Sequence, residues 1–321
     1  QDEATRPSRD SVGISGMLQV LWSSLALPSI SLLAFLLTST LMIAVATLVV
    51  HGSVDPKTMV ANASIREVSE SRIGFLIMLV VPQIALVLPC LLAASIAPEG
   101  LKKRLSLQRG HWPLWTWFAA AYATPVIGWM SSLIVSSFME ESERLEIMGD
   151  VFRNHGESGF LIPLALAIGA TPAICEELLF RGYVQTGLIR RLRPEIGILM
   201  TSVVFAAFHL DPIHSLAVFP LGVYLGLLAW RSGSLMPAML GHFVNNVISV
   251  FAVVLMPEER GGIPSHEAVV FLLVVLTLAF FGSVLTSVAF WLLPGPAADS
   301  NAAEAPAPPL AVPAGGNDAL S

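Results

Sequence analysis

Long apolar runs alternate with short polar segments along the chain. Run 29–50 holds 22 residues without a charge, and runs 73–97 and 113–138 are likewise uncharged. Run 159–175 is apolar until it meets Glu176, and further runs cover 196–208, 213–230, 235–256 and 268–293. A helix needs about 20 apolar residues to cross the hydrocarbon core. The pattern therefore predicts eight candidate spans, with 196–208 the shortest and least suited to a full crossing. None of these runs alternates as a membrane β-strand would, and an open sheet edge leaves its backbone groups unsatisfied in lipid. The expected fold is all-α: a polytopic membrane protein of about eight transmembrane helices, with its core over 29–293.

The two ends differ from this core. Residues 1–28 read as an N-terminal cytoplasmic or interfacial segment, in which Leu18, Val20, Leu21, Trp22, Leu25 and Leu27 suit a helix lying along the membrane surface. Residues 294–321 are rich in Ala and Pro and read as a disordered tail. With eight spans and the N-terminus inside, the inner segments hold Arg6, Arg9, Lys102, Lys103, Arg104, Arg109, Arg190, Arg191, Arg193 and Arg231. The outer segments hold Lys57, Arg66, Arg72, Arg144, Arg153 and Arg260. Positive charge accumulates on the cytoplasmic side, so both termini are expected there. The acid-rich segment 139–158 reads as a solvated outer loop. Trp112, Trp115 and Trp117 read as an aromatic belt, and Asn62-Ala63-Ser64 as an outer-loop glycosylation sequon.

Composition supports the same class. Hydrophobic residues make up 55% of the 321 residues, charged residues 12%, and the mean hydropathy is +0.74. A soluble domain carries roughly 25% charged residues, so an ordinary soluble enzyme is excluded, and so is a disordered chain. A net charge of −6 leaves no basic footprint for nucleic acid. Cys90 and Cys175 both lie in apolar runs and form no CxxC motif; Cys175 reads as a small core residue.

Against this apolar background the ionisable residues stand out. Within the runs and their direct continuations, the Asp, Glu, Lys and Arg residues are Glu176, Glu177 and Arg181, joined by His209 and His242. Charge inside a bilayer costs a few kcal/mol per group, about 2.5–3.5 on insertion scales, so such residues are functional candidates. Glu177 and Arg181 stand four apart in the order that favours a helical ion pair, which leaves Glu176, about 100° around the helix, to face elsewhere. His242 and Asn246 share a helix face, as do Phe205 and His209, while Asn245 lies on a neighbouring face. A carboxylate and imidazoles around a water can take its proton and aim it at a carbonyl; an Asn amide and a second imidazole can donate to the oxyanion. One Glu and two His also suit zinc with an open position, though no HExxH is present. Taken singly, His209, His242 and Asn246 read equally well as interhelical hydrogen-bonding groups, and His214, after Asp211-Pro212, as interfacial.

The motifs Glu176-Glu177-Leu178-Leu179-Phe180-Arg181 (EExxxR), Phe205-Ala206-Ala207-Phe208-His209 (FxxxH) and His242-Phe243-Val244-Asn245-Asn246 (HxxxN) resemble, in order and spacing, those of the CAAX protease and bacteriocin-processing (CPBP, or Abi) family. The resemblance covers about residues 159–256. It implies an eight-helix intramembrane endopeptidase whose site opens toward the cytoplasm. Glu176 would activate water, His209 would help hold it, and His242 and Asn246 would stabilise the oxyanion. Glu177, Arg181 and Phe205 would support the site. The family was once classed as metalloprotease; the metal-free mechanism is the expectation here, and under the zinc alternative the ligands would be Glu176, His209 and His242. The substrate would be a membrane-bound or lipidated peptide or protein. A non-catalytic scaffold and a proton-coupled transporter are the competing readings of the same polar cluster; the latter calls for an internal repeat, and none is evident.

Depth sets one condition. At 1.5 Å per residue, His242 lies about 10 Å and His209 about 20 Å from the cytoplasmic side, whereas a span ending at Glu176 puts that residue near the surface. The three meet if the Glu-bearing helix continues past Arg181, so one long helix over about 159–192, kinked at Pro172, is expected.

Overall fold

The computed structural model describes residues 14–53, 62–140, 142–256 and 263–295. The expected tail lies outside these residues apart from 294 and 295, as do residues 1–13. Among the described residues there are helices and no strand. They are α1 (Ile14–His51), α2 (Asn62–Glu70), α3 (Arg72–Ser95), α4 (Leu101–Arg104), α5 (Leu114–Ser136) and α6 (Glu143–His155). After a π-helical turn, Gly156–Phe160, come α7 (Leu161–Glu177), a π-helical stretch Leu178–Gln185 and α8 (Thr186–Ile189). The chain ends in α9 (Pro194–Ala207), α10 (Pro212–Ser232), α11 (Met236–Leu255) and α12 (His266–Leu292).

Among the described residues, seven helical segments are long and apolar enough to cross a membrane, and the eighth expected span is the short apolar helix α9. Fourteen residues of α9 rise only about 21 Å, less than the hydrocarbon thickness of about 30 Å. This shortness places His209, two residues beyond α9, at depth.

The helices pack as a bundle in which α7 and the π stretch lie between α3, α11 and α10. Helix α1 covers α3, while α5 packs against α10, α11 and α12. The contact between α12 and α5 is close: a Cβ on Gly282 would sit 2.8 Å from the Ala119 carbonyl oxygen. Trp112 is not part of an aromatic belt. It is buried against Phe290, with ring centroids 5.4 Å apart, at the foot of α5, where ring area buried beside a second aromatic outweighs an interfacial position. Trp115 is exposed.

The two ends of the bundle carry opposite charge. At one end, Lys102, Lys103, Arg104, Arg109, Arg190, Arg191, Arg193 and Arg231 face Glu99 and Glu195 as the described acids. Several of these cations fasten the end: Arg104 donates to the Tyr183 carbonyl, Arg190 pairs with Glu99, and Arg231 donates to the carbonyls of Phe290 and Leu293. The other end joins α2, α3, α6 and the α9–α10 turn. There Arg72 donates to the Ser158 carbonyl, Asn154 to Glu70, and the side chains of Asp211 and Ser142 are hydrogen-bonded. This end is acidic, with Glu67, Glu70, Glu140, Glu143, Glu146, Asp150 and Glu157 among its residues.

α1 runs through Pro28 as helix. One segment differs from the sequence expectation. Segment 139–158 is not a plain solvated loop. Ser142 caps α6, and the helix turns Val151 and Phe152 into a core shared with Phe75, Leu164 and Val250. Apolar residues at helical spacing inside an acid-rich segment produce an amphipathic helix that docks by one face.

The expected continuation of the Glu-bearing helix is present, since helical backbone runs from Leu161 to Ile189. Its irregularity lies at Leu178–Gln185, where the helix widens to π geometry, while Pro172 sits within regular α-helix. Proline has no N–H, so it leaves the Ile168 carbonyl, four residues earlier, without its intrahelical donor. Asn246 of α11 supplies one instead, with Nδ2 3.3 Å from the Ile168 oxygen. Removing a donor from a buried carbonyl costs about 1–3 kcal/mol. Asn246→Ala is therefore expected to lower thermal stability in nanodiscs by that amount, and by clearly less in a Pro172→Ala background, where a backbone N–H is restored. Equal losses in both backgrounds would show that this bond is not what Asn246 contributes.

Candidate active site

The site is organised around Glu177. This carboxylate is fully buried, and its Oε1 accepts from Arg181 Nη1 at 2.6 Å and from His242 Nδ1 at 2.9 Å. A carboxylate only accepts, so His242 donates through Nδ1. Arg181 also donates through Nη2 to the Gly222 carbonyl of α10 at 3.0 Å, and one turn on, Gln185 donates to the Gly226 carbonyl at 2.9 Å. Positions 177, 181 and 185 line one face because the wider π turn brings residues four apart closer to alignment. Such π segments occur often at functional sites. Gly222 permits the approach: a Cβ there would stand 3.0 Å from Phe205 Cδ1.

Phe205 is the second organiser. The Arg181 guanidinium sits 4.2 Å over its ring centroid, a cation–π geometry. The rings of His209, Phe180 and His242 meet it edge-on at 5.1, 5.3 and 6.0 Å. One buried aromatic thus touches members of all three motifs. His209 accepts its orientation from its own helix, with Nδ1 3.1 Å from the Phe205 carbonyl. That carbonyl can only accept, so Nδ1 carries the proton and Nε2 holds a free lone pair.

Glu176 faces the other way. It lines a cavity of about 300 Å³ together with His209, Gln83, His214, Asp211 and Arg144, between walls of Phe35, Leu86, Phe180 and Phe208. Gln83 Nε2 donates to Glu176 Oε1 at 3.0 Å. His214 is half-buried, its ring 4.7 Å from that of His209; it belongs to the cavity wall rather than the interface. Asp211 caps α10, and accepting the His214 backbone N–H holds its carboxyl below the usual carboxylate range. The cavity reaches from mid-depth, at Glu176 and Phe180, toward α6, where Arg144, Leu145 and Met148 line it.

The structure therefore brings Glu176, His209 and Phe205 into the lining of one cavity, with Arg181 against the Phe205 ring and Glu177 paired to Arg181 outside that lining. His242 is engaged with Glu177 and Asn246 with Ile168; neither lines the cavity. Asn245 is buried and donates to Asn246 Oδ1 at 3.3 Å. Cys175 and Cys90 are buried free thiols in the core around Leu179 and Phe180. Glu176, His209 and His242 do not converge as a ligand set, and among the described residues no three His, Cys, Asp or Glu side chains are grouped to hold a metal ion. Sequence reasoning missed Gln83. A signal was present, because Gln83 is the one amide in the otherwise apolar stretch 73–94.

Comparison with known proteins bears on the motif-bearing stretch. Residues 158–248 match the family model described as type II CAAX prenyl endopeptidase Rce1-like. No curated protein and no solved structure matches the chain. The matched stretch runs from the π turn before α7 to the middle of α11 and contains all three motifs. Over those residues the chain is similar to the Rce1-like family of CAAX proteases.

Proposed function

We propose that the chain is an intramembrane endopeptidase that hydrolyses a peptide bond of a membrane-bound or lipid-anchored substrate with a glutamate-activated water. The observation that carries this reading is that Glu176, on α7, and His209, in the turn after α9, line one cavity. Glu176 takes a proton from water as the oxygen attacks the scissile carbonyl. His209, which lines the same cavity, helps confine that water beside Glu176. When the tetrahedral intermediate collapses, Glu176 returns the proton to the departing amine. His214, beside His209, is the further imidazole in a position to donate to the oxyanion. Glu177, Arg181, His242 and Asn246 keep the helices that carry these groups in register. No step is routed through a metal, because the candidate ligands do not converge.

Orientation follows from charge. The cavity extends toward the acidic end, where Arg144, Leu145 and Met148 line it, which supports cytoplasmic termini together with an opening on the opposite face. The reading adopted places the Arg-rich end in the cytoplasm and the cavity toward the opposite face. A substrate segment then enters from the non-cytoplasmic half of the bilayer, which favours a membrane-bound or lipid-anchored peptide there over a cytosolic prenylated C-terminus.

Two measurements check these statements. In a membrane-proteome comparison, cells carrying wild type should contain new peptide C-termini that vanish with Glu176→Gln at equal, folded expression. Identical termini in the two strains would contradict the protease reading. With a membrane-impermeant maleimide, Glu157→Cys should label in intact cells and Lys102→Cys only after permeabilisation; the reverse pattern would overturn the orientation.

A further inference from the structure

Gln83 is the one amide in an apolar stretch of α3, and it is 8% exposed. Burying an amide without partners costs several kcal/mol in an apolar phase, roughly 2–7, so its position calls for a use. Its Nε2 is satisfied by Glu176 Oε1 at 3.0 Å. Its Oε1 is buried and has no protein partner among the described residues, although Gln83 lines the cavity shared by Glu176 and His209.

The neighbouring carboxylates differ in the partners they receive. Glu177 is held by a guanidinium and an imidazole. Glu176 is held by a neutral amide, which fixes its orientation through one oxygen, adds no positive charge and leaves the carboxylate able to take a proton. A cation in place of Gln83 would hold the carboxylate just as firmly and oppose that proton transfer.

We propose that Gln83 positions Glu176 through Nε2 and binds the attacking water through Oε1; the proposal rests on the endopeptidase reading above. A water has two hydrogens. One is directed to the Glu176 carboxylate and is transferred as the O–H bond breaks and the new C–O bond forms. The other donates to Gln83 Oε1 throughout, so the oxygen lone pair is aimed at the carbonyl carbon. On collapse the C–N bond breaks, the amine leaves with the proton from Glu176, and the carboxyl product carries the water oxygen. No other reactant is required.

The test uses full-length protein in lipid nanodiscs. The probe is the peptide identified by the termini comparison, synthesised with its membrane anchor and a fluorophore–quencher pair across the cut. Gln83→Met keeps the side chain's length and removes both hydrogen-bonding functions. Its kcat should fall by roughly 10–100-fold, within the range of general acid–base contributions, with KM changed less than about twofold. Gln83→Asn retains the amide on a shorter arm and should recover part of the kcat, which keeps the test informative should the Met variant not fold. A purely structural role would shift the unfolding temperature and leave the kcat of the folded fraction unchanged. Wild-type kcat in both folded variants, with Glu176→Gln inactive, overturns the role of Gln83 alone. Full cleavage by Glu176→Gln overturns the endopeptidase mechanism, and the proposal with it.

Discussion

A carboxylate buried at mid-bundle needs partners, and the Glu177–Arg181 pair is the constraint on which the rest of this fold depends. Both side chains are withdrawn from solvent. Desolvating two charges costs several kcal/mol per ion, which their attraction offsets only if the geometry is good and other hydrogen bonds complete it. Here the completing bonds come from different helices. His242 arrives from α11, the Gly222 carbonyl from α10, and the Phe205 ring from α9. Satisfying one ion pair therefore fixes the relative positions of four helical segments in a setting where apolar contact alone discriminates poorly between arrangements.

The chemistry of the cavity follows from that arrangement. Because Glu177 is taken up by structural partners, its neighbour Glu176 is turned toward α3 and the cavity, where a neutral amide meets it. Because α9 is short, His209 ends within reach of the same space. The π stretch reconciles these demands by aligning Glu177, Arg181 and Gln185 along the face that meets α10 and α11. Asn246 makes a parallel repair, satisfying the carbonyl that Pro172 leaves free. Charged and polar groups in the span region thus divide into those that hold helices and those that face the cavity.

Much of this was legible in the sequence, for physical reasons. Span-length runs are dictated by bilayer thickness, so the helices read directly from hydropathy. The buried ionisable residues were conspicuous because charge is rare in such runs, and the i, i+4 order of Glu177 and Arg181 foreshadowed their pairing. The continuation of the Glu-bearing helix past Arg181 followed from depth and from the apolar spacing of residues 182–192, although helical backbone stops at Ile189 rather than near 192. Other features depend on partners that one-dimensional spacing does not reveal. The engagement of Asn246 with Ile168 requires knowing that α11 lies beside Pro172. The burial of Trp112 depends on Phe290, far along the chain, and His214 lines the cavity with its ring against that of His209. α6 was obscured by its acids, which occupy one face while Val151 and Phe152 occupy the other.

The measurement that tests the organising role of the ion pair most directly is a double-mutant cycle on thermal unfolding in nanodiscs. It compares Glu177→Gln, Arg181→Met and the combined variant with wild type. Each single change strands a buried charge, which costs about 3–5 kcal/mol. The account predicts that the double variant loses much less than the sum of the two, because no charge is left unpaired. Additive losses would contradict it, since they would mean that the two side chains contribute independently and that their pairing does not hold the helices together.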